Sequence, residues 1–300
     1  MVGGRVSGAV RRRVKARILE TVHDGDLHLE RFREPAGDVG LFGPDSMAWR
    51  VHSHPGGMLT GGFSALMLQS LHPLAMAGVA QHSTWRQDPF GRLAATSSYL
   101  LTTTYGDTEA ALAAAAWVRK IHVHVRGTDP ETGLPYSAED PDLLLWVHAG
   151  MVDSIVEVVG RYGRGLEPAD ADRYVAEMVR FAEIVGVPRE DVPASAGALR
   201  AYIESVELRQ ATAAAREAIG IVVDPPDLEP ETRELWRELA QVAIGTLPAW
   251  AREMYGYAAP PPEAMERESV RQLLGALDLA FETLPGVIEA RRRIELRMRA

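Results

Sequence analysis

Apolar residues recur along this 300-residue chain mostly at spacings of three and four, which is the period of an α-helix. The clearest case follows Asp140, a residue type that caps helices, and Pro141, which favours the first helical position. Together they predict a helix that continues to Gly163. Alternation with the period of a β-strand is nearly absent. The pattern therefore predicts an all-α protein.

Short polar or proline-rich turns separate the other predicted helices. Asp107 begins a helix that ends near Gly127, and Pro168 and Gly186 bound another. Further helices are predicted over residues 1–20, 196–219, 230–246, 262–283 and 286–299. No linker is long enough to separate two domains and no repeat is present. We therefore expect one large helical domain over 1–300, with its core at 45–220 and C-terminal helices at 221–300.

Two segments bear on membranes. Val51 to Trp85 contains no charged residue, and its apolar part is long enough to span a bilayer, but His72 and Pro73 interrupt it. The basic cluster that begins at Arg11 is followed by polar residues and not by the apolar segment of a signal peptide. We expect a soluble, cytoplasmic protein without stable membrane insertion.

Composition excludes several kinds of chemistry. The chain has no cysteine, which removes disulfides, thiolate ligands and cysteine nucleophiles. Its net charge of −9 argues against a nucleic-acid partner. Motifs for phosphate cradles, zinc proteases and serine hydrolases are absent from the sequence. All nine histidines lie within the first 148 residues, so imidazole chemistry must come from that half.

His148 is the most suggestive histidine. On its predicted helix, the face that carries it is otherwise apolar at offsets of three, four and seven: Leu144, Leu145, Met151, Val152 and Ile155. An imidazole in such surroundings is either neutral and hydrogen-bonded or a metal ligand. A single histidine on an apolar helix face is how many proteins hold haem iron. A core histidine bonded to a carbonyl is the alternative.

Arg119 and His122 form a second candidate pair, three residues apart on one helix face. They would present a cation and an acid–base group to one pocket. A solvated arginine beside a core histidine is the alternative. His122 and His124 diverge by about 200° on a helix and cannot share one metal ion. His72 is expected to have a structural role at Pro73, where proline frees a backbone carbonyl.

Four segments follow in order across the first half of the chain: LFGPDSMAWRV, LMLQSLHPLAMAGVAQHSTWRQDPFGRLAAT, KIHVHVRG and YSAEDPDLLLWVHAGMVDS. In order and spacing they resemble the oxygenase family that groups latex-clearing rubber oxygenases with the mpaB-type fungal oxygenase. The last segment is long and rarely met elsewhere, which makes the resemblance specific.

The resemblance implies a globin-like helical core with a b-type haem, and O2-dependent cleavage of a carbon–carbon double bond. By its position in WVHA, His148 matches the proximal iron ligand of the family. Arg119 and His122 match polar positions on the opposite side of the haem, where they would bind the cofactor and act in catalysis. The apolar segment Leu59–Val79 would wall a pocket for a small apolar substrate. Possible partners of the haem propionates are Arg86, Arg92 and Arg126.

These observations predict a haem b-dependent oxygenase. Rubber-cleaving members use a polar set that includes Lys and Thr, whereas here Lys120 points about 100° away from Arg119. We therefore expect a small apolar or terpenoid substrate in place of rubber. One alternative is a non-haem metal enzyme that uses His122 and His148, with ligands such as His72, His82 and Asp153. Another is a haem-binding sensor or carrier without turnover. The C-terminal helix 286–299 is expected to be solvated, although it could mediate a homodimer.

Overall fold

The computed structural model describes residues 30–33, 35–163, 165–226, 228–260, 265–281 and 285–298. Helices dominate these residues, which confirms the predicted all-α single domain, and the largest apolar cluster includes residues of both halves of the chain. The helix predicted over residues 1–20 lies outside the described residues. The predicted helix limits at Pro141, Pro168 and Gly186 are confirmed.

The helices of the first half of the chain are α1 (Glu30–Arg33), α2 (Met47–His52), α3 (Pro55–Gln69), α4 (Pro73–His82), α5 (Pro89–Tyr105), α6 (Thr108–His122) and α7 (Pro141–Tyr162). Those of the second half are α8 (Pro168–Val185), α9 (Ala196–Ser205), α10 (Ala213–Val223), α11 (Pro230–Thr246), α12 (Ala249–Tyr255), α13 (Arg267–Phe281) and α14 (Pro285–Met298), with a short 3₁₀ turn at Arg189–Asp191.

The segment between α6 and α7 is not the polar loop that the sequence predicts. It forms an antiparallel hairpin of β1 (Arg126–Thr128) and β2 (Pro135–Ser137). Asp129 closes the turn, because its carboxylate accepts hydrogen bonds from the backbone N–H and the hydroxyl of Thr132. Helix α6 accordingly ends at His122 and not near Gly127.

The helix predicted over 196–219 is divided into α9 and α10. Between them the backbone N–H of Gln210 donates to the carbonyl of Leu71, 2.7 Å away, and so holds the connecting segment against the α3–α4 bend. Thr212 then caps α10 through a hydrogen bond to the N–H of Ala215. The break depends on a contact between distant parts of the chain. Helix propensity reflects only neighbouring residues, so it cannot predict this break.

Helix α3 packs along α7 in the centre of the domain. Small residues allow the two backbones to approach, since a Cβ added at Gly61 would lie 3.2 Å from the Cα of Ile155. An added Cβ at Gly150 would lie 3.1 Å from the Cγ of Gln69. A side chain at Gly61 would therefore press on the backbone of α7, whereas at Gly150 the flexible Gln69 side chain would have to move by a few tenths of an ångström.

The apolar stretch Leu59–Val79 is two helices and not one, because α3 and α4 meet at an angle of 107°. Pro73 cannot donate a hydrogen bond to the carbonyl of Gln69, one turn earlier. The indole Nε1 of Trp146 donates to that carbonyl at 2.9 Å. The backbone N–H of His72 also donates to it, at 3.2 Å, so Trp146 and the backbone of His72, and not a histidine side chain, satisfy the carbonyl that proline frees.

Helix α7 is long and apolar enough to cross a membrane, and α3 with α4 would pass the same test as one bent span. In α7, 67% of the most apolar window is buried inside the protein. A core helix of a soluble protein has the same properties, so this finding gives weak evidence for a membrane span. The cytoplasmic location stays a prediction.

The C-terminal helix is not the solvated helix that the sequence predicts. Arg293 is 0% exposed, and its guanidinium donates to the backbone carbonyls of Phe32, Asp38, Tyr105 and Gly106 at 2.8–3.2 Å. Burial lowers the pKa of Arg293, whereas the charges of nearby Asp107 and Asp38 act in the opposite direction. This buried arginine fastens α14 to α1 and to the corner between α5 and α6. Formation of a homodimer stays a prediction.

We expect Arg293→Met to lower the free energy of unfolding by about 3 kcal/mol, because four buried carbonyls lose a charged donor. Urea unfolding measures the change. Arg292→Met is the matched control, since Arg292 is exposed and pairs only with Glu289, so its loss should cost less than about 1 kcal/mol. Equal effects of the two substitutions would contradict the role given to Arg293.

Candidate functional site

His148 lies near the middle of the apolar face of α7, as the sequence predicts. The side chain of Asp140 caps this helix by accepting from the N–H of Asp142. The His148 side chain is 4% exposed, and its buried Nδ1 has no hydrogen-bond partner among the described residues. Burial lowers the pKa of His148 to about 4, so the imidazole is neutral near pH 7. A neutral, unpartnered imidazole is chemically suited to bind a metal.

Aromatic side chains of two neighbouring helices connect to His148, one directly and one through the other. Phe181 of α8 stacks on the imidazole, with ring centres 6.1 Å apart and planes inclined by 26°. Tyr99 of α5 meets Phe181 edge to face, with ring centres 5.5 Å apart. The hydroxyl of Tyr99 is buried without a hydrogen-bond partner. Helices α5, α7 and α8 thus meet at a site with two unsatisfied polar groups.

His122 is the last residue of α6, half-buried, and its buried Nδ1 also has no partner among the described residues. Burial and the positive charge of Arg92 lower its pKa, whereas Glu139 acts in the opposite direction. Arg119 is exposed, and its guanidinium makes no hydrogen bond or ion pair within the described part of the chain. The assignment of Arg119 and His122 to one pocket with His148 stays a prediction.

His124 follows α6 in an exposed turn. The burial of the two histidines in the H-x-H sequence therefore differs. Because α6 ends at His122, the two residues do not lie on one helix as expected, and the expectation that they do not share one metal ion stays a prediction.

The three arginines considered as propionate partners have different surroundings. Arg86 forms a two-pronged ion pair with Glu217 at 2.8 and 2.9 Å. Arg126 donates to the carbonyl of Val123 and lies 3.9 Å from a Glu139 carboxylate oxygen. Arg92 donates only to the hydroxyl of Thr96, at 2.7 Å, and no carboxylate pairs with it among the described residues. Of the three, Arg92 is the one whose charge is not matched.

His52 shows what a satisfied buried histidine looks like in this fold. Its Nδ1 is 2.8 Å from the hydroxyl of Thr104, which gives its own hydrogen to the carbonyl of Leu100. Its Nε2 is 2.9 Å from the hydroxyl of Tyr174. Nδ1 of His52 therefore carries the hydrogen, and Tyr174 donates to Nε2. This network joins α2, α5 and α8.

The proposed ligands of a non-haem metal site are dispersed. His82 bonds to the Tyr136 hydroxyl at 3.1 Å, and Asp153 pairs with Arg200 at 3.2 Å. His72 packs against Trp146, with an unpartnered Nδ1. Within the described ranges, no three histidine or acidic side chains are close enough to hold a metal ion together.

A surface cavity of about 570 Å³ lies apart from these residues, between α8 and the segment before α2. Phe42, Arg173, Glu177, Arg180 and Arg189 are among its lining residues. None of Arg119, His122 and His148 lines it. It therefore does not mark the candidate site.

Sequence reasoning missed Tyr99 and Phe181. Both sit in ordinary helical positions, and only the folded chain brings them to His148. One signal was available, since Tyr99 follows Arg92 by seven residues and thus shares its helix face.

A neutral imidazole without a partner among the described residues, set in an all-α core, is chemically suited to bind a metal-bearing cofactor. The family model for the catalytic domain of the ER-bound oxygenase mpaB/B′ and rubber oxygenase matches residues 49–279. The chain belongs to this oxygenase family. Comparisons with curated proteins and with solved structures find no match. The predicted likeness to globins stays an expectation.

We expect His148→Leu to leave the free energy of unfolding of the ligand-free protein unchanged or higher, because the imidazole Nδ1 it removes is unsatisfied. His52→Leu is the matched comparison, since it deprives Thr104 and Tyr174 of a partner and should cost about 2 kcal/mol. Urea unfolding of the two variants tests this contrast. A larger loss for His148→Leu than for His52→Leu would show that His148 has a structural partner.

The two buried histidines also make stability depend on pH. Burial lowers the pKa of His52 to about 3 and that of His148 to about 4, from an ordinary value of 6.5. Their neutral forms thus contribute stability that is fully present above pH 6.5 and is lost as the pH falls. Between pH 6.5 and its own lowered pKa, each histidine should reduce the free energy of unfolding by up to about 1.4 kcal/mol for every pH unit. Unfolding at several pH values should show a smaller slope in either leucine variant than in the parent protein.

Proposed function

We propose that this member of the oxygenase family is a haem b-dependent enzyme that uses O2 to oxidise or cleave a carbon–carbon double bond in a small apolar or terpenoid molecule. The single observation that supports it most is the buried His148 imidazole, whose Nδ1 has no partner among the described residues. The fold already contains a buried histidine with both ring nitrogens bonded, His52. A buried histidine in this fold can thus have partners for both ring nitrogens, which the Nδ1 of His148 does not have within the described part of the chain.

The residues around His148 fit a haem. Its ring is neutral near pH 7, as an iron ligand must be, and Phe181 restricts its rotation by stacking on it. Arg92 offers an unmatched guanidinium for a haem carboxylate. A bound haem would supply an iron atom at which O2 binds and becomes reactive. In a cleavage reaction both atoms of O2 enter the two new carbonyl groups, so the reaction balances without an external reductant.

The protein's own groups would then bind the substrate, exclude water and handle protons. His122 has a lowered pKa, so its Nδ1 is free to accept a hydrogen bond or a proton near neutral pH. Arg119 would supply a positive charge from the exposed side of α6. We do not place α3 and α4 at the substrate pocket, because Trp146, which contacts their bend, leaves α7 on the side opposite His148.

Haem reconstitution tests the proposal. The wild-type protein should take up one haem per chain and show a Soret band, and His148→Ala should lose it. His72→Ala is the matched control, because His72 is also buried with an unpartnered Nδ1 but packs against Trp146. Absence of a Soret band in the wild-type protein would contradict the proposal, and its loss in His72→Ala alone would assign the ligand to His72.

O2 uptake separates an enzyme from a sensor or carrier. The haem-loaded protein should consume O2 with an olefinic terpenoid and release carbonyl products. His122→Ala should slow this turnover by about a hundredfold if His122 handles a proton, while the Soret band is retained. Haem binding without O2 uptake for any olefin tried would favour the sensor or carrier.

A further inference from the structure

One face of α5 changes from solvent-exposed to buried along the length of the helix. Arg92 and Thr96 are exposed, Tyr99 is half-buried and Thr103 is fully buried. These four residues follow one another at spacings of four, three and four, which places them on the same helix face. The face therefore leads from the surface into the core.

The adjoining helix α6 shows the complementary gradient. Ala111 and Ala115 are buried, whereas Val118 and His122 are half-buried towards the end of the helix. Helices α5 and α6 pack against each other and are joined by the short corner at Gly106 and Asp107, which places the beginning of α5 beside the end of α6. The charge of Arg92 accordingly acts on the pKa of His122. We call the region where these two faces meet the α5–α6 recess, with Arg92 and His122 at its exposed end and Tyr99 towards the core.

The recess contains hydrogen-bond donors without acceptors. The Tyr99 hydroxyl is buried and unpartnered at its inner end, where the tyrosine ring contacts Phe181. At the opening, Arg92 uses one N–H on Thr96 and pairs with no carboxylate among the described residues. Burial lowers the pKa of Arg92 although its side chain still reaches solvent, as expected for a cation that lines a recess. An unmatched buried donor is unfavourable until a ligand supplies an acceptor.

We propose that the α5–α6 recess binds a carboxylate, with Arg92 as its ion-pair partner at the opening and the Tyr99 hydroxyl donating to an oxygen atom of the same molecule. Two sources supply this chemistry: a carboxylate of the haem, in which case the inference rests on the proposed function, or a carboxylate on the substrate. In the second case the substrate is an amphipathic acid and not a plain hydrocarbon.

The first arm of the test compares haem with its dimethyl ester, in which both carboxylates are masked. If the haem supplies the carboxylate, the wild-type protein should bind haem about tenfold more tightly than the ester. Arg92→Gln should abolish that preference, and Arg92→Lys should restore part of it. Arg161→Gln is the matched control, because Arg161 is an exposed arginine at the end of α7 that pairs with Glu157 and should leave the preference intact.

The second arm uses geranic acid and its methyl ester as probes, measured by intrinsic fluorescence in the ligand-free protein and by the Soret shift in the haem-loaded protein. If the substrate supplies the carboxylate, the acid should bind and the ester should not, and Arg92→Gln should abolish binding of the acid. A wild-type protein that binds geranic acid but no haem would overturn the proposed function and leave the carboxylate site standing.

Tyr99→Phe gives an independent measurement, because it removes the hydroxyl and keeps the ring that packs on Phe181. The ligand-free variant should be as stable as the parent or more so. Affinity for the carboxylate ligand identified by the first two arms should fall by about threefold to tenfold. The proposal is overturned if Arg92→Gln changes neither the haem preference nor geranic acid binding, or if Tyr99→Phe leaves the affinity unchanged.

Discussion

The bend between α3 and α4 is the constraint on which the rest of the core depends. Pro73 leaves the Gln69 carbonyl without its usual helical donor, and that carbonyl accepts instead from the indole of Trp146 at 2.9 Å and from the backbone N–H of His72 at 3.2 Å. Trp146 and His148 are two residues apart, so their side chains leave α7 in directions about 200° apart. The bond that holds Trp146 against the bend therefore turns His148 towards α8. Rotation of α7 about its axis would break the hydrogen bond between Trp146 and Gln69 and would also move His148 away from α8.

Burial alone does not decide what a histidine does in this protein. His52 and His148 are both neutral and almost fully enclosed. His52 is held between two hydroxyl groups and ties three helices together, whereas the Nδ1 of His148 faces no partner among the described residues. The difference lies in which side chains other helices bring to each ring. The sequence therefore shows both histidines but does not reveal which of them has hydrogen-bond partners.

Local signals in the sequence were sufficient for much of the fold. Capping by Asp140, the left-handed glycine at 186 and the apolar face around His148 depend on neighbours within a turn or two, and all are present in the structure. The hairpin after α6 was missed although its turn is closed locally, by Asp129 and Thr132. The α9–α10 break and the burial of Arg293 were missed because their main causes lie in contacts between distant parts of the chain. The same limit applied to the site: Tyr99 and Phe181 become neighbours of His148 only through packing.

Arg293 also sets the geometry of a region far from it in sequence. Its guanidinium holds the carbonyls of Tyr105 and Gly106, at the corner where α5 turns into α6. These two helices meet at the α5–α6 recess, so a substitution that weakens the attachment of α14 would also loosen the corner that joins them. A change in the last helix can therefore act on the recess through the backbone, without altering any side chain of α5 or α6.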